Sequence, residues 1–200
     1  MKKIALALIA IASSTTALAQ EEQSSTPGSW EFGLGLGQTT IDQEAAADQL
    51  IGEDAFNVSL TAMYLKNSWI STVGLDIVQY DDNAGFSQAV TSNFGGDSTE
   101  DSSATGVLLT GAFGYRWTHL EDDAVSTYLQ GGVSAMTSSS RGIDNCSNCY
   151  SEDIEISGGG FIRGGAHYSW SSVGLGLEYT QYMSGDLNDS LMLNLTTSFK

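Results

Sequence analysis

The chain has 200 residues, with 24 acidic and 7 basic side chains and a formal net charge of −17. So few Lys and Arg exclude a nucleic-acid partner, because phosphate binding depends on them. The length suits one domain, and 23 Gly against a single Pro, Pro27, suit a chain made mostly of strands, since Pro cannot donate to a sheet ladder.

Lys2 and Lys3 precede an uninterrupted apolar stretch from Ile4 to Ala12, and Ala17-Leu18-Ala19 forms a small-x-small cleavage site. This three-part pattern reads as a secretory signal peptide over 1–19, with an apolar run too short to span a bilayer. A short periplasmic segment over 20–27 and a barrel domain over 28–200 are the expected remainder. With Lys2 and Lys3 removed, the balance is 5 basic against 24 acidic residues. No later segment has the ~18 consecutive apolar residues of a transmembrane helix, so a membrane-spanning form of this chain is a barrel.

From Trp30 onward apolar and polar residues alternate, the signature of strands. In the first run Trp30, Phe32, Leu34 and Leu36 share one face, with Glu31, Gly33, Gly35 and Gly37 on the other. The second run carries Phe56 to Tyr64, the third Trp69 to Val78, the fourth Val107 to Trp117 and the fifth Val125 to Met136. The sixth runs from Ile156 to Trp170, with Ile156 and Ile162 on the apolar parity and Phe161, Arg163 and His167 opposite. The seventh covers Val173 to Thr180 and the eighth Leu191 to Phe199. Eight strands of about ten residues match the ~25 Å apolar band of an outer membrane.

The connections alternate in length. Short ones fall at 66–68, 118–124 and 171–172, and long ones at 41–55, 81–103, 138–153 and 183–190. Short turns at one end and long loops at the other are the pattern of an up-and-down outer-membrane barrel. A soluble lipocalin-like barrel would bury the apolar parity instead. The aromatic residues favour lipid: Trp30, Phe32, Tyr64, Trp69, Tyr115, Trp117, Tyr168, Trp170 and Phe199 share that parity near the short-turn end. A narrow interior has no room for so many rings, whereas a lipid-interface girdle calls for them.

The signal peptide, the eight alternating strands and the terminal run Leu191 to Phe199 resemble the small OmpA/OmpX/OmpW-type outer-membrane barrels, in architecture rather than in any one motif. The resemblance implies a Gram-negative outer-membrane location, lipid and lipopolysaccharide as surroundings, and recognition of the last strand by the barrel-assembly machinery. Lys200 after Phe199, and Thr197 where an aromatic is common, depart from that group's terminal pattern.

The inward parity carries Glu31, Asp76, Arg116, Arg163, His167 and Glu178. Charges in a narrow lumen need partners, so these residues read as a structural network plugging the barrel; a narrow ion or solute channel with the charges as its filter is the alternative. Tyr128, Met136, Phe161 and Met192 are candidates to fill the space left by Gly33, Gly35, Gly37, Gly174 and Gly176. His167 and Ser169 share a strand face near Glu178, the residue types of an activated serine. They are faintly similar to the outer-membrane lipid A deacylases, although Trp170 stands where that family's motif has Asn. No catalytic residue is assigned, and no cofactor or metal site is expected.

Cys146 and Cys149 are the only cysteines, and in an exported chain an intraloop disulfide is the default. A redox pair, half of a metal site and intermolecular bridges are the alternatives. The long loops hold most of the acids, among them Asp42, Glu44, Asp48, Glu53 and Asp54, then Asp81, Asp82, Asp97, Glu100 and Asp101. They read as solvated faces, with divalent cations as a possible partner. No loop matches a complete calcium-binding motif. The functional expectation is a non-enzymatic surface, structural or adhesive barrel displaying acidic loops.

Overall fold

The computed structural model describes residues 28–91, 97–119, 124–143 and 149–199. The expected signal peptide, the segment over 20–27 and Cys146 lie outside the described residues. In chain order the elements are β1 (Ser29–Ile41), α1 (Gln43–Asp48), β2 (Ile51–Lys66), β3 (Trp69–Asp82), β4 (Ser87–Thr91), β5 (Asp97–Asp101), β6 (Ser103–Thr118), β7 (Val125–Gly142), β8 (Ser151–Asp153), β9 (Gly160–Trp170), β10 (Val173–Tyr182) and β11 (Leu187–Phe199).

Eight of these strands close a barrel. Neighbours run β6-β3-β2-β1-β11-β10-β9-β7, and β7 returns to β6, with every pairing antiparallel. Each strand lies beside its sequence neighbours, so this is the up-and-down topology. Closure pairs both edges of each barrel strand, which lipid requires because it offers no hydrogen bonds to a free edge. Among the described residues no helix is long and apolar enough to cross a membrane.

Side chains alternate across the wall as a period of two demands. Leu34, Leu60, Val73, Phe113, Leu129, Ile162, Leu177 and Leu193 are exposed on the outside. Their neighbours Thr72, Asp76, Gln130, Arg163 and Thr196 are buried inside. At the short-turn end β2 and β3 join through Asn67-Ser68 and β9 and β10 through Ser171-Ser172, with Lys66 opposite Trp69 and Trp170 opposite Val173. Asn67 and Ser171 take φ of 57° and 60°, the left-handed region that two-residue hairpin turns need.

The other end differs from the sequence expectation. Strands run further than the alternation indicates, and the long connections carry structure of their own. In the first, Asp42 caps α1 by accepting from the N–H groups of Glu44 (3.0 Å) and Ala45 (3.3 Å). In the second, β4 and β5 form a hairpin, and in the third β8 pairs with the extension of β7.

The sixth strand needs a correction. The alternation starts it at Ile156, but β9 begins at Gly160, and Ile156 is buried rather than outward. A bulge explains the reversal. Val107 pairs with Ser138 and Leu108 with Met136, which leaves Thr137 as an extra residue in β7. Beyond it the inward parity changes from Met136 to Ser139 and Arg141. The facing chain changes face in the same way, between Gly160 and β8, and this turns Ile154 and Ile156 inward.

Candidate functional site: the lumen and its cap

The interior has two tiers. Toward the short turns lies the polar one. Arg116 on β6 reaches Glu31 on β1, its Nη1 donating to both carboxylate oxygens at 3.0 and 3.2 Å, while its Nε donates to Ser126 at 2.9 Å. β2 and β3 lie between β1 and β6 in the wall, so this pair crosses the lumen. Arg163 Nη1 donates to Glu178 at 3.2 Å, and the Tyr128 hydroxyl donates to the other Glu178 oxygen at 2.6 Å. Gln130 donates to Thr72 at 2.9 Å across the space between β7 and β3.

Asp76 is buried among these groups and accepts from Ser59. Removing such charges from water costs about several kcal/mol per ion, and partnered hydrogen bonds are what make the burial tolerable. His167 bonds through Nε2 to the Thr196 hydroxyl (2.6 Å) and through Nδ1 to Ser169 (3.1 Å). Ser169 and His167 therefore meet, but the second imidazole nitrogen faces a hydroxyl rather than the carboxylate an activated serine requires. Glu178 is engaged by Arg163 and Tyr128.

Glycines make room for this packing. A Cβ on Gly165 would run into the Tyr128 ring, one on Gly132 into Phe161, and one on Gly174 into His167. Gly35 and Gly37 face Met192 in the same way, and Gly106 faces Met136. The space beside these glycines is taken by side chains from the neighbouring strands. Among these side chains lies a cavity of about 20 Å³ lined by Glu31, Thr72, Arg163, Glu178, Asn194 and Thr196, among others, the scale of a single water.

Toward the long connections the interior turns apolar. Ile41, Ala46, Ile51, Ala55, Val78, Tyr80, Ala104, Leu108, Ile154, Ile156, Phe161, Tyr182 and Leu187 form one buried cluster. Above it Arg141, only 4% exposed, ties the connections together. Its Nε donates to Asp82 (2.7 Å), its Nη1 to Glu152 (3.3 Å), and its Nη2 to the carbonyls of Gln49 (2.7 Å) and Leu50 (3.0 Å). Burial acts to raise the Asp82 pKa, but hydrogen bonds from Ser102, the Ala84 N–H and Arg141, with the guanidinium charge, outweigh it and hold this carboxyl below its ordinary value.

The sequence reading places Phe161 and Met136 inside but misses the rest of this tier. Several of its apolar residues, Ile41, Ile154 and Leu187 among them, stand singly between polar neighbours at the ends of strands or in the connections, and Arg141 follows the bulge that breaks the alternation. A lone Arg amid so many loop acids is the available clue.

Of the girdle residues, Trp30, Phe32, Tyr64, Trp69, Tyr115, Trp117, Tyr168 and Trp170 lie on the outside at the short-turn end. Trp30 packs on Tyr64 at 5.1 Å, Trp69 on Phe113 at 5.1 Å and on Tyr115 at 5.5 Å, Tyr115 on Trp117 at 5.1 Å and Tyr168 on Trp170 at 5.8 Å between ring centroids. Phe32 is also exposed there, and Phe199 pairs with Trp30 in register. Cys149 is disulfide-bonded. Among the described residues no group of three or more His, Cys, Asp or Glu side chains is placed to hold a metal ion.

No family model matches the chain, and no curated protein matches it in sequence. Solved structures give distant likenesses. Neisserial surface protein A is 12% identical, with 88% of this chain and 100% of that one covered and a TM-score of 0.49. Ail, the attachment invasion locus protein of Yersinia pestis, is 14% identical over 86% of this chain and 97% of that one, with a TM-score of 0.48. A major outer membrane protein from Thermus thermophilus is 11% identical over 87% and 100%, with a TM-score of 0.40.

The physical case rests on the chain itself. A wall that exposes Leu34, Leu60, Leu177 and Leu193 while burying Asp76, Arg163 and His167 is inverted relative to a water-soluble barrel. With its rim of aromatic rings, this is a closed eight-stranded antiparallel barrel whose apolar outer wall suits lipid.

Proposed function

We propose that this protein is a non-enzymatic outer-membrane barrel with a closed lumen, whose work is done by the acidic surface of its long connections. The carrying observation is the interior: one ion pair across the lumen and another between neighbouring strands below, an apolar cluster above, and a cavity of about 20 Å³ between packed side chains. A hydrated ion has no path through such a column. The short turns and aromatic girdle face the periplasm, and the long connections face outward among lipopolysaccharide.

The role fits a surface, structural or adhesive protein better than a channel. Asp42, Glu44, Asp48, Glu53, Asp54, Asp81, Glu100, Asp101, Glu152, Asp153 and Glu155 belong to the outward-facing end. Arg141, the base of the described outer connections, is spent on holding them together. Purified protein in planar bilayers is expected to show no stable discrete conductance. Reproducible single-channel steps would overturn the closed lumen in favour of a narrow channel.

A further inference from the structure

The outer wall is notched at Gly131 on β7. Phe113 on β6 and Ile162 on β9 lie opposite Gly131 in register, and a side chain at Gly131 would meet nothing within 4 Å. The result is an open groove of about 320 Å³, floored by Gly131 and walled by Trp69, Phe113, Leu129 and Ile162, all exposed on the lipid side. Ring packing fixes one of its walls. Trp69 lies nearly parallel to Phe113, at 10° and 5.1 Å, and edge-on to Tyr115 at 5.5 Å.

At the short-turn end of this groove the outward side chains become polar. Lys66 ends the outward parity of β2 and pairs in register with Trp69, which pairs with Tyr115 on its other side. The turn that carries Lys66 is fastened to β6, where the Arg116 N–H donates to the Ser68 carbonyl at 2.8 Å. Trp117, which also lines the groove, pairs with Thr127, and the Thr127 hydroxyl lies 2.7 Å from His119 Nε2. Arg116, Arg141 and Arg163 are committed to ion pairs, so among the described residues Lys66 is the one exposed Lys or Arg. We propose that the groove is a phospholipid site, with one acyl chain lying over Gly131 and the phosphate meeting Lys66 at the rim. Inside a membrane, apolar partners are selected by packing rather than by exclusion from water. A chain in a groove touches a floor and two walls, where a chain on a convex wall touches one face, and each added contact contributes dispersion energy. Lys extends its flexible stem along apolar surface to hold its charge at an interface, where it binds phosphate as a point charge. A second copy docking on this face would share the membrane orientation and bring its own Lys66 to the same rim, a like-charge contact that a phosphate turns into an attraction.

The site is on the outer wall and does not depend on the lumen being closed. Native mass spectrometry of the folded barrel, released from detergent micelles doped with dipalmitoyl phosphatidylethanolamine, tests it. The connection after His119 carries Glu121, Asp122 and Asp123, so the probe is a zwitterionic lipid rather than an anionic one. The expected result is one lipid held after all others have been stripped. Gly131→Leu, which fills the groove, is expected to lose it, and Lys66→Gln to lower its occupancy about two- to fivefold, the scale of an exposed ion pair. Dipalmitoylglycerol, with the same chains and no phosphate, is expected to be stripped with the micelle. A graded loss with no persisting lipid, or equal retention by Gly131→Leu, overturns the groove as a site. Equal retention of dipalmitoylglycerol, or unchanged occupancy in Lys66→Gln, overturns the phosphate contact. A two-copy species that Gly131→Leu abolishes overturns the proposal in favour of a dimer face. Heat-modifiable gel migration shows whether each variant is folded, and Lys66→Gln, which leaves the wall intact, decides the matter should Gly131→Leu fail to fold.

Discussion

Glu31 and Arg116, 85 residues apart in sequence, form an ion pair across the barrel, at 3.0 Å and with side chains 14% and 11% exposed. Breaking one side of such a pair leaves the other charged and buried, which costs about 3–5 kcal/mol. Arg116→Met is therefore expected to lower the urea midpoint of the refolded barrel markedly. Adding Glu31→Gln should restore much of the loss, since no unpaired charge then remains. An unchanged midpoint for the single variant would show that the pair contributes nothing to stability.

Gly165 and Gly131 offer a matched contrast. A side chain at Gly165 meets the Tyr128 ring, whereas one at Gly131 meets nothing within 4 Å. Gly165→Val should displace Tyr128 from Glu178 and destabilise the barrel by about 1–3 kcal/mol, the usual cost of overpacking. Gly131→Ala, on the lipid side, should be neutral or mildly stabilising. Equal effects in thermal unfolding would contradict the filled lumen.

The outer latch should respond to acid in a defined direction. The folded Asp82 carboxyl is held below its ordinary value, so its stabilising contribution is complete above the unfolded pKa of about 3.9. That contribution is lost as the pH falls through the lower folded value. Amide exchange at Leu50, Ile51 and Asn83 is therefore expected to stay slow at neutral pH, once corrected for intrinsic rates, and to accelerate under strong acid. Asp82→Asn should bring part of that loosening to neutral pH. Exchange that is independent of pH after correction would rule out this carboxylate as the anchor.

The lipid face predicts its own sensitivity. Leu60, 52% exposed, pairs with Leu34 and Leu75 in the middle of the apolar wall. Leu60→Arg should cost about 2–4 kcal/mol of folding free energy in vesicles. Asp54→Arg, in the upper part of the same strand among the outer connections, should cost far less. Comparable folding yields in phospholipid vesicles would argue that this wall does not face lipid.

The barrel was legible because its wall obeys a single rule. From Trp30 to Leu36 and from Leu191 to Leu195 every second residue is exposed on the outer wall, and a period of two survives in the sequence wherever both faces are specified. The rule stops at Thr137, where one extra residue reverses the faces, and Ile156 was misplaced for that reason. Glu31, Arg116, Arg163 and Glu178 could be gathered to the lumen by parity, but which acid meets which base depends on strand tilt and rotamer, which composition does not encode. Ile41, Ile154 and Leu187 each sit alone among polar neighbours, so no periodicity announced most of the apolar tier.

That apolar tier bears on how the outer surface can change over evolutionary time. Ile41, Ala46 and Ile51 come from around the first long connection, Tyr80 and Ala104 from the edges of the second, Ile154 and Ile156 from the third, and Tyr182 and Leu187 from the borders of the fourth. The exposed residues of each connection can drift freely, but the apolar residues beneath them are held in common. A graft that replaces one connection without its apolar residues would unsettle the other three. The surface is built to vary in its outer residues and to be inherited as one piece at its base.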